Sequence, residues 1–309
     1  MTGVLVTGAS GFIGRHCLRP LVTKGYEVHA VTSRETRDCD AQVRWHQADL
    51  LDHRATRELL ESVRPSKLLH FAWHAVPASY AYSLDNLRWA QAGLELLRSF
   101  RDNGGSRLVA AGSCAEYDWA YGYCSERRTP IGPGTLYGVC KDALQRVLAA
   151  YARETALSSA WGRIFWVYGP HEAPSRLVPS IISALLARQP ALCSEGTQIR
   201  DYLYVQDVAD AFVALLESPV CGAVNVASGA PISVADLAGA IAEHLGGQDL
   251  LRLGGLPAGD GQAPLVVADV SRLRSEVGWR PQRSVQDGLE ETIRWWQDHR
   301  MEPETVTGR

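Results

Sequence analysis

The stretch VTGASGFIGRH, residues 6–16, sets glycines at 8, 11 and 14 directly behind an apolar run and at the head of a helical pattern. No other feature limits so sharply what the chain can fold into. A strand that turns at once into a helix needs Gly8 for the tight turn. Gly11 lets a ligand approach the backbone, and Gly14 lets the helix pack close on the sheet. The unpaired N–H groups and the positive end of that helix then form an anion site suited to a pyrophosphate. With a strand before it and a helix after it, the turn points to a bound dinucleotide.

The first 165 residues continue that alternation. VLVTG, EVHAVT, KLLHFA, RLVAAGS and SSAWGRIF are short, apolar and strand-like, and residues 14–24, 54–63, 84–101 and 136–154 repeat apolar residues at helical spacing. Strands alternating with helices imply parallel pairing through right-handed crossovers, and so an α/β fold with a doubly wound parallel sheet. The character changes after Tyr168-Gly169-Pro170, where helices over 177–188, 205–217, 234–245 and 285–300 are joined by short strands. The Gly/Pro-rich LGGLPAGDGQAP, residues 253–264, is expected to be a mobile or ligand-covering loop. The expected organisation is a dinucleotide domain over 1–168, rejoined by roughly 202–228. A smaller mixed α/β substrate domain takes 169–201 and 229–309.

Composition excludes several classes. A formal charge of −3 with no block of like charge gives no basic face for nucleic acid. No apolar run reaches the length of a membrane span, and the N-terminus opens on a strand rather than a signal peptide. Seven cysteines, with no CxxC pair, are expected as reduced thiols of a cytoplasmic protein, and no zinc-ligand spacing occurs, so no metal is expected.

Lysine is rare: it occurs at 24, 67 and 141, against 28 arginines. One of the three follows Tyr137 by four residues, one turn along the same helix face. A neighbouring ammonium is expected to lower the phenol's pKa toward a useful range, and Lys141 can also hold a cofactor ribose. The strand end AAGSCAEY supplies Ser113, whose hydroxyl can bind a carbonyl oxygen beside that phenol. At the end of the second strand, VTSRE puts Ser33 and Arg34, with Glu35 next, where an NAD site usually carries an acid. A hydroxyl and a guanidinium suit a 2′-phosphate, which favours NADP, with NAD as the alternative. Asp49 and Leu50 follow the third strand, where an adenine edge can be read.

These motifs together resemble the extended short-chain dehydrogenases/reductases, of the NAD(P)-dependent nucleotide-sugar epimerase/dehydratase/reductase branch. The glycine turn, Ser113 and Tyr137-xxx-Lys141 match the cofactor motif and catalytic triad. GRIFWVYGPH (162–171), GTQIRDYLYVQDVADAF (196–212), NVASG (225–229) and RSEVGWRP (274–281) match later segments, so the resemblance runs from about residue 3 to 296. It implies a Rossmann-type domain and a nucleoside-diphosphate sugar bound between the two domains. It further implies cofactor contacts at Gly8, Ser10, Gly11, Phe12, Ile13, Gly14, Ser33, Arg34, Asp49, Leu50, Phe71, Ala72, Trp73, Tyr137, Lys141 and Ile164. Substrate contacts are implied at His74, Ser113, Cys114, Trp166, His171 and Arg200, the last near the diphosphate or nucleoside. A homodimer through two helices of the dinucleotide domain is implied as well.

The departures from the pattern narrow the reaction. The 4,6-dehydratases carry an Asp-Glu pair just after the catalytic Ser/Thr; here Cys114 and Ala115 stand there, and alanine has no proton to move. Epimerase–reductases of one kind carry a cysteine where this chain has Ala115, although Cys114 is adjacent and His171 matches their second acid/base or is a loop histidine without a role. Trp166 replaces a substrate-contacting asparagine, AWHAVP (72–77) is bulkier than usual, and the asparagine of the following helix falls at Ala90, with Asn86 a turn away. The expected activity is NADPH-dependent reduction of a nucleotide-linked 4-keto-6-deoxy sugar at C4. The alternative is a C4 epimerase with tightly bound NAD.

Overall fold

The apolar runs are buried on both faces, and they pair accordingly in a computed structural model that describes residues 2–34, 41–77, 79–257 and 263–299. In chain order the elements are β1 (Gly3–Thr7), α1 (Gly14–Thr23), β2 (Glu27–Thr32), β3 (Val43–Gln47), α2 (His53–Val63), β4 (Lys67–His70), α3 (Asp85–Asp102), β5 (Arg107–Ser113), β6 (Tyr123–Cys124), α4 (Leu136–Thr155), β7 (Ser158–Ile164) and β8 (Trp166–Tyr168). There follow α5 (Leu177–Leu186), β9 (Ala191–Leu192), β10 (Ile199–Tyr204), α6 (Val205–Glu217), β11 (Gly222–Val226), β12 (Pro231–Ser233), α7 (Val234–His244), β13 (Leu251–Arg252), β14 (Leu265–Ala268), α8 (Ser271–Ser275) and α9 (Val285–Asp298).

Seven parallel strands form the large sheet in the order β3-β2-β1-β4-β5-β7-β11. The order reverses at β1, whose Thr7 pairs with Val31 on one side and His70 on the other. Helices leaving the strands in opposite directions at such a point open a crevice at the carboxyl ends. Alternation along β1 sends Val4 and Val6 into one core with Cys17, Leu21 and Phe212, under α1 and α6. Leu5 goes to the other face, with Leu96, Phe100 and Leu144 under α3 and α4. Burying each such side chain contributes about 1.5–3 kcal/mol.

The smaller layer is a sheet in the order β12-β10-β14-β6, with β8 paired to β10. Helices α5, α7 and α9 cover a core of Ile181, Leu185, Leu237, Ile241, Leu289 and Ile293, with Tyr168, Tyr202 and Tyr204 beneath. Two short strands from the first 168 residues, β6 and β8, pair here and not in the large sheet, and the chain re-enters the large layer at α6, which packs on α1. Buried Asp201 holds the junction by accepting from the backbone N–H groups of Ser228, Gly229 and Ala268. Asp207 does the same for the C-terminal segment, through Gln282, Arg283 and the Arg283 guanidinium at 2.8 Å. Residues 258–262 of the Gly/Pro-rich loop lie outside the described residues, and no described helix is long and apolar enough to cross a membrane.

Candidate active site

The crevice at the switch point is a cleft of about 520 Å³. At its floor, Gly8 has φ +65°, and a Cβ there would lie 2.8 Å from the Ala72 nitrogen. A Cβ on Gly14 would collide with the Gly8 carbonyl, so helix and turn can meet only because side chains are missing. Gly8, Gly11, Phe12, Ile13 and Gly14 line the cleft, as do Phe71, Ala72, Trp73 and Ile164. Ser10 is turned aside: its hydroxyl shares a hydrogen bond with Thr32 at 3.0 Å, and its carbonyl accepts from the Arg15 guanidinium at 2.6 Å. Ser33 and Arg34 are exposed just past the end of β2, and Glu35 lies outside the described residues.

Asp49 and Leu50 do not line the cleft. The exposed Asp49 carboxylate accepts from the Leu51 N–H at 3.0 Å, capping its own loop, and the Leu50 side chain is buried in the core under α2.

Ser113 ends β5, and Tyr137 and Lys141 come from the first two turns of α4, whose N-cap Thr135 accepts from the Gly138 N–H at 3.2 Å. All three residues line the cleft. Behind Ser113, wholly buried Glu116 accepts from the Ser113 N–H at 2.7 Å and from the Trp161 indole at 2.9 Å, and pairs with Arg163 at 2.7 Å. This carboxylate fixes the serine's backbone, and only its tertiary setting reveals it; in the sequence it is one acid among 34.

The expected effect of Lys141 on Tyr137 is corrected by the side-chain geometry. Burial pushes the phenol well up, hydrogen bonding to Ser113 pulls it back, and Tyr80, Glu116 and Cys114 add to the rise. The Lys141 ammonium stands 5.8 Å from the Tyr137 ring centroid, over the Trp73 ring at 3.9 Å, and donates to the Ala111 carbonyl at 2.7 Å. Burial lowers Lys141 itself to about 7, against the pull of Glu116. The phenol is thus a protonated group at neutral pH.

The substrate side is only partly as expected. Trp166 and Cys114 line the cleft; burial raises the Cys114 thiol, so it makes a poor base. Arg200 is buried and stacks on Trp166 at 4.9 Å, with one N–H donated to the Ile199 carbonyl. His74 does not line the cleft and sits between Ser79, at 3.4 Å, and Asp85, at 3.9 Å. His171 does not line it either: it adopts φ +68° and packs on Trp295 at 4.6 Å, and this partial covering, with Arg15, His16 and His299, lowers it to about 4. The residue beside it, Glu172, faces the cleft with Arg176 and Tyr202. Asn86 is fully buried and holds the loop before α3, accepting from the Trp73 indole at 2.8 Å and donating to the Tyr80 and Ser83 carbonyls. Among the described residues no group of His, Cys, Asp and Glu is arranged to hold a metal.

A phosphate-sized turn, a hydroxyl, a protonated phenol and an ammonium thus converge at the strand ends of a doubly wound sheet, which defines a dinucleotide-dependent enzyme. The chain belongs to the NAD dependent epimerase/dehydratase family, whose model matches residues 4–227. It is 27% identical to a UDP-glucose 4-epimerase of Erwinia amylovora, covering 94% of this chain and 97% of that one. It is 28% identical to a dTDP-4-dehydro-6-deoxy-D-allose reductase of Streptomyces sp, covering 96% and 97%. Its fold matches the structure of MoeE5 in complex with UDP-glucuronic acid and NAD, with a TM-score of 0.83 at 30% identity, over 96% and 99% of the two chains.

Proposed function

We propose that the protein reduces a nucleotide-linked 4-keto-6-deoxy sugar at C4, using NADPH. The observation that carries this reading is an intact Ser113, Tyr137 and Lys141 set in the cleft, followed after Ser113 by a buried, raised Cys114 thiol and by Ala115, which has no titratable group. The cleft fits a dinucleotide, because Gly8 and Gly14 leave a turn that a single Cβ would close. The backbone of Gly11 to Gly14 would hold its phosphates, Lys141 and Tyr137 its ribose, and Phe71 to Trp73 with Ile164 its nicotinamide end. A nicotinamide dinucleotide bound there supplies the hydride.

The protein's own groups do the rest. The Ser113 hydroxyl donates to the sugar carbonyl oxygen, held in place by the Glu116 bond to its backbone. Tyr137 gives its proton to that oxygen as negative charge develops on it. Lys141, 5.8 Å from the Tyr137 ring centroid and bonded to the Ala111 carbonyl, would hold the ribose rather than the phenol. The large sheet with α6 and β11 is the dinucleotide unit, and the elements around α5, α7 and α9 hold the nucleotide sugar, with Arg200 stacked on Trp166 toward the diphosphate. Exposed Arg34 at the end of β2 supports NADP over NAD.

The epimerase relatives share the same triad chemistry, so the test must separate net reduction from inversion. The protein is mixed with NADPH and a panel of nucleotide-linked 4-keto-6-deoxy sugars, and NADPH absorbance is followed. Stoichiometric loss with one member supports the reductase. No loss with any member, together with NAD that stays bound through purification, favours the epimerase.

A further inference from the structure

On the nucleotide-sugar reading above, the two buried carboxylates near the cleft play different parts. Glu116 is fully occupied by Ser113, Trp161 and Arg163. Glu172 is not. It lies in the loop between β8 and α5, is nine-tenths buried, lines the cleft, and its Oε2 has no hydrogen-bond partner among the described residues. A buried carboxyl kept only for stability would be paired, as Glu116 is with Arg163.

The charged and titratable groups that face Glu172 are few. Arg176, from the start of α5, feels its charge but lies over the Tyr80 ring at 5.2 Å. Tyr80 in turn meets Tyr137 edge-on at 5.1 Å, so this side of the cleft connects directly to the reactive phenol. Tyr202, from β10, is raised by burial and by Glu172, with Arg200 beyond it. His171 precedes Glu172 but points to Trp295.

We propose that Glu172 is a specificity residue, whose Oε2 hydrogen-bonds a hydroxyl or carbonyl oxygen of the nucleotide sugar held in this cleft. Burial raises its carboxyl to about 8, against Arg176 and a hydrogen bond with the Gly169 backbone. At neutral pH it is therefore a carboxylic acid. It can donate to a sugar oxygen without setting a negative charge near the diphosphate of the same ligand. Above about pH 8 the donor is lost and a carboxylate charge faces the ligand's diphosphate, so the affinity for the sugar nucleotide falls.

The test is calorimetric titration of the full chain with UDP-glucose and dTDP-glucose, and with UDP and dTDP as sugar-free controls, from pH 6.5 to 9.5. Wild type, Glu172→Gln and Glu172→Ala are compared. The expected result is that wild type loses sugar-nucleotide affinity by roughly tenfold across that range, one hydrogen bond's worth. Glu172→Gln flattens the profile, because its amide remains a donor. Glu172→Ala weakens sugar-nucleotide binding at pH 6.5 but leaves UDP, dTDP and NADPH binding unchanged. Sugar binding indifferent to residue 172, or a pH profile that Glu172→Gln retains, overturns the inference alone. Should Glu172→Ala fail to fold, the Glu172→Gln profile decides. Failure of wild type to bind either sugar nucleotide at any pH overturns the nucleotide-sugar reading as well.

Discussion

On the proposed mechanism the chemistry passes through Tyr137, which enters the step protonated. Enclosed and raised by burial, the phenol keeps its proton until a stronger base, the developing alkoxide, appears beside it. Conversion of Tyr137 to Phe is expected to lower kcat by about 10²–10⁴-fold while the dissociation constant for NADPH changes little; a variant with wild-type turnover would contradict the role. Lys141 makes a second prediction, through stability. With its pKa lowered from 10.5 to about 7, the folded chain binds fewer protons than the unfolded chain between those values, so this group makes stability rise with pH through that window. The penalty is fully present below about pH 7. Lys141→Met removes it, so melting curves should show the variant gaining on wild type most at pH 6 and least near pH 10. A difference independent of pH would argue against a buried, destabilised ammonium. The glycines, Ser113, Tyr137 and Lys141 were legible in the sequence because their chemistry is local. Glu116 and Glu172 were not, since a single acid in a loop gives no sign of whether the fold will bury it.

At the scale of elements, the site depends on how closely α4 docks against the end of β5. Gly138 makes that possible: a Cβ there would collide with the Ala115 carbonyl and come within 2.8 Å of the Pro133 Cβ. Gly138→Ala is expected to cost about 1–3 kcal/mol by overpacking. By moving Tyr137 relative to Ser113 it should also lower kcat by at least roughly tenfold, with KM little altered. A variant with reduced melting temperature but unchanged kcat would show that the helix position is not critical. The long helices could be read from the sequence to within a residue or two; α6, for instance, spans Val205–Glu217 as its apolar spacing indicates. The two- and three-residue strands β6, β8, β9, β12 and β13 could not, because periodicity needs more residues than they contain. The excursion after β5 into the smaller sheet was hidden for the same reason.

For the whole molecule, the two sheets meet along the cleft, and the chain passes between them at β6, β8 and α6. The outer faces of α3 and α4 carry Leu87 and Leu94, and Val139 and Val147, all more than two-fifths exposed and at helical intervals. A homodimer through these helices is the proposed assembly. Sedimentation should show a dimer that the pair Leu94→Arg and Val147→Arg converts to a monomer, and a monomeric wild type would remove the proposal. The central claim, net reduction at C4, is tested most directly with NADPH deuterated at the transferable nicotinamide position and the nucleotide-linked 4-keto-6-deoxy sugar that consumes it. The account predicts one deuterium at C4 of the product for each NADPH oxidised. No deuterium incorporated and no NADPH consumed with any 4-keto sugar, together with inversion at C4 of a nucleotide-linked 4-hydroxy sugar, would contradict it and identify the protein as an epimerase.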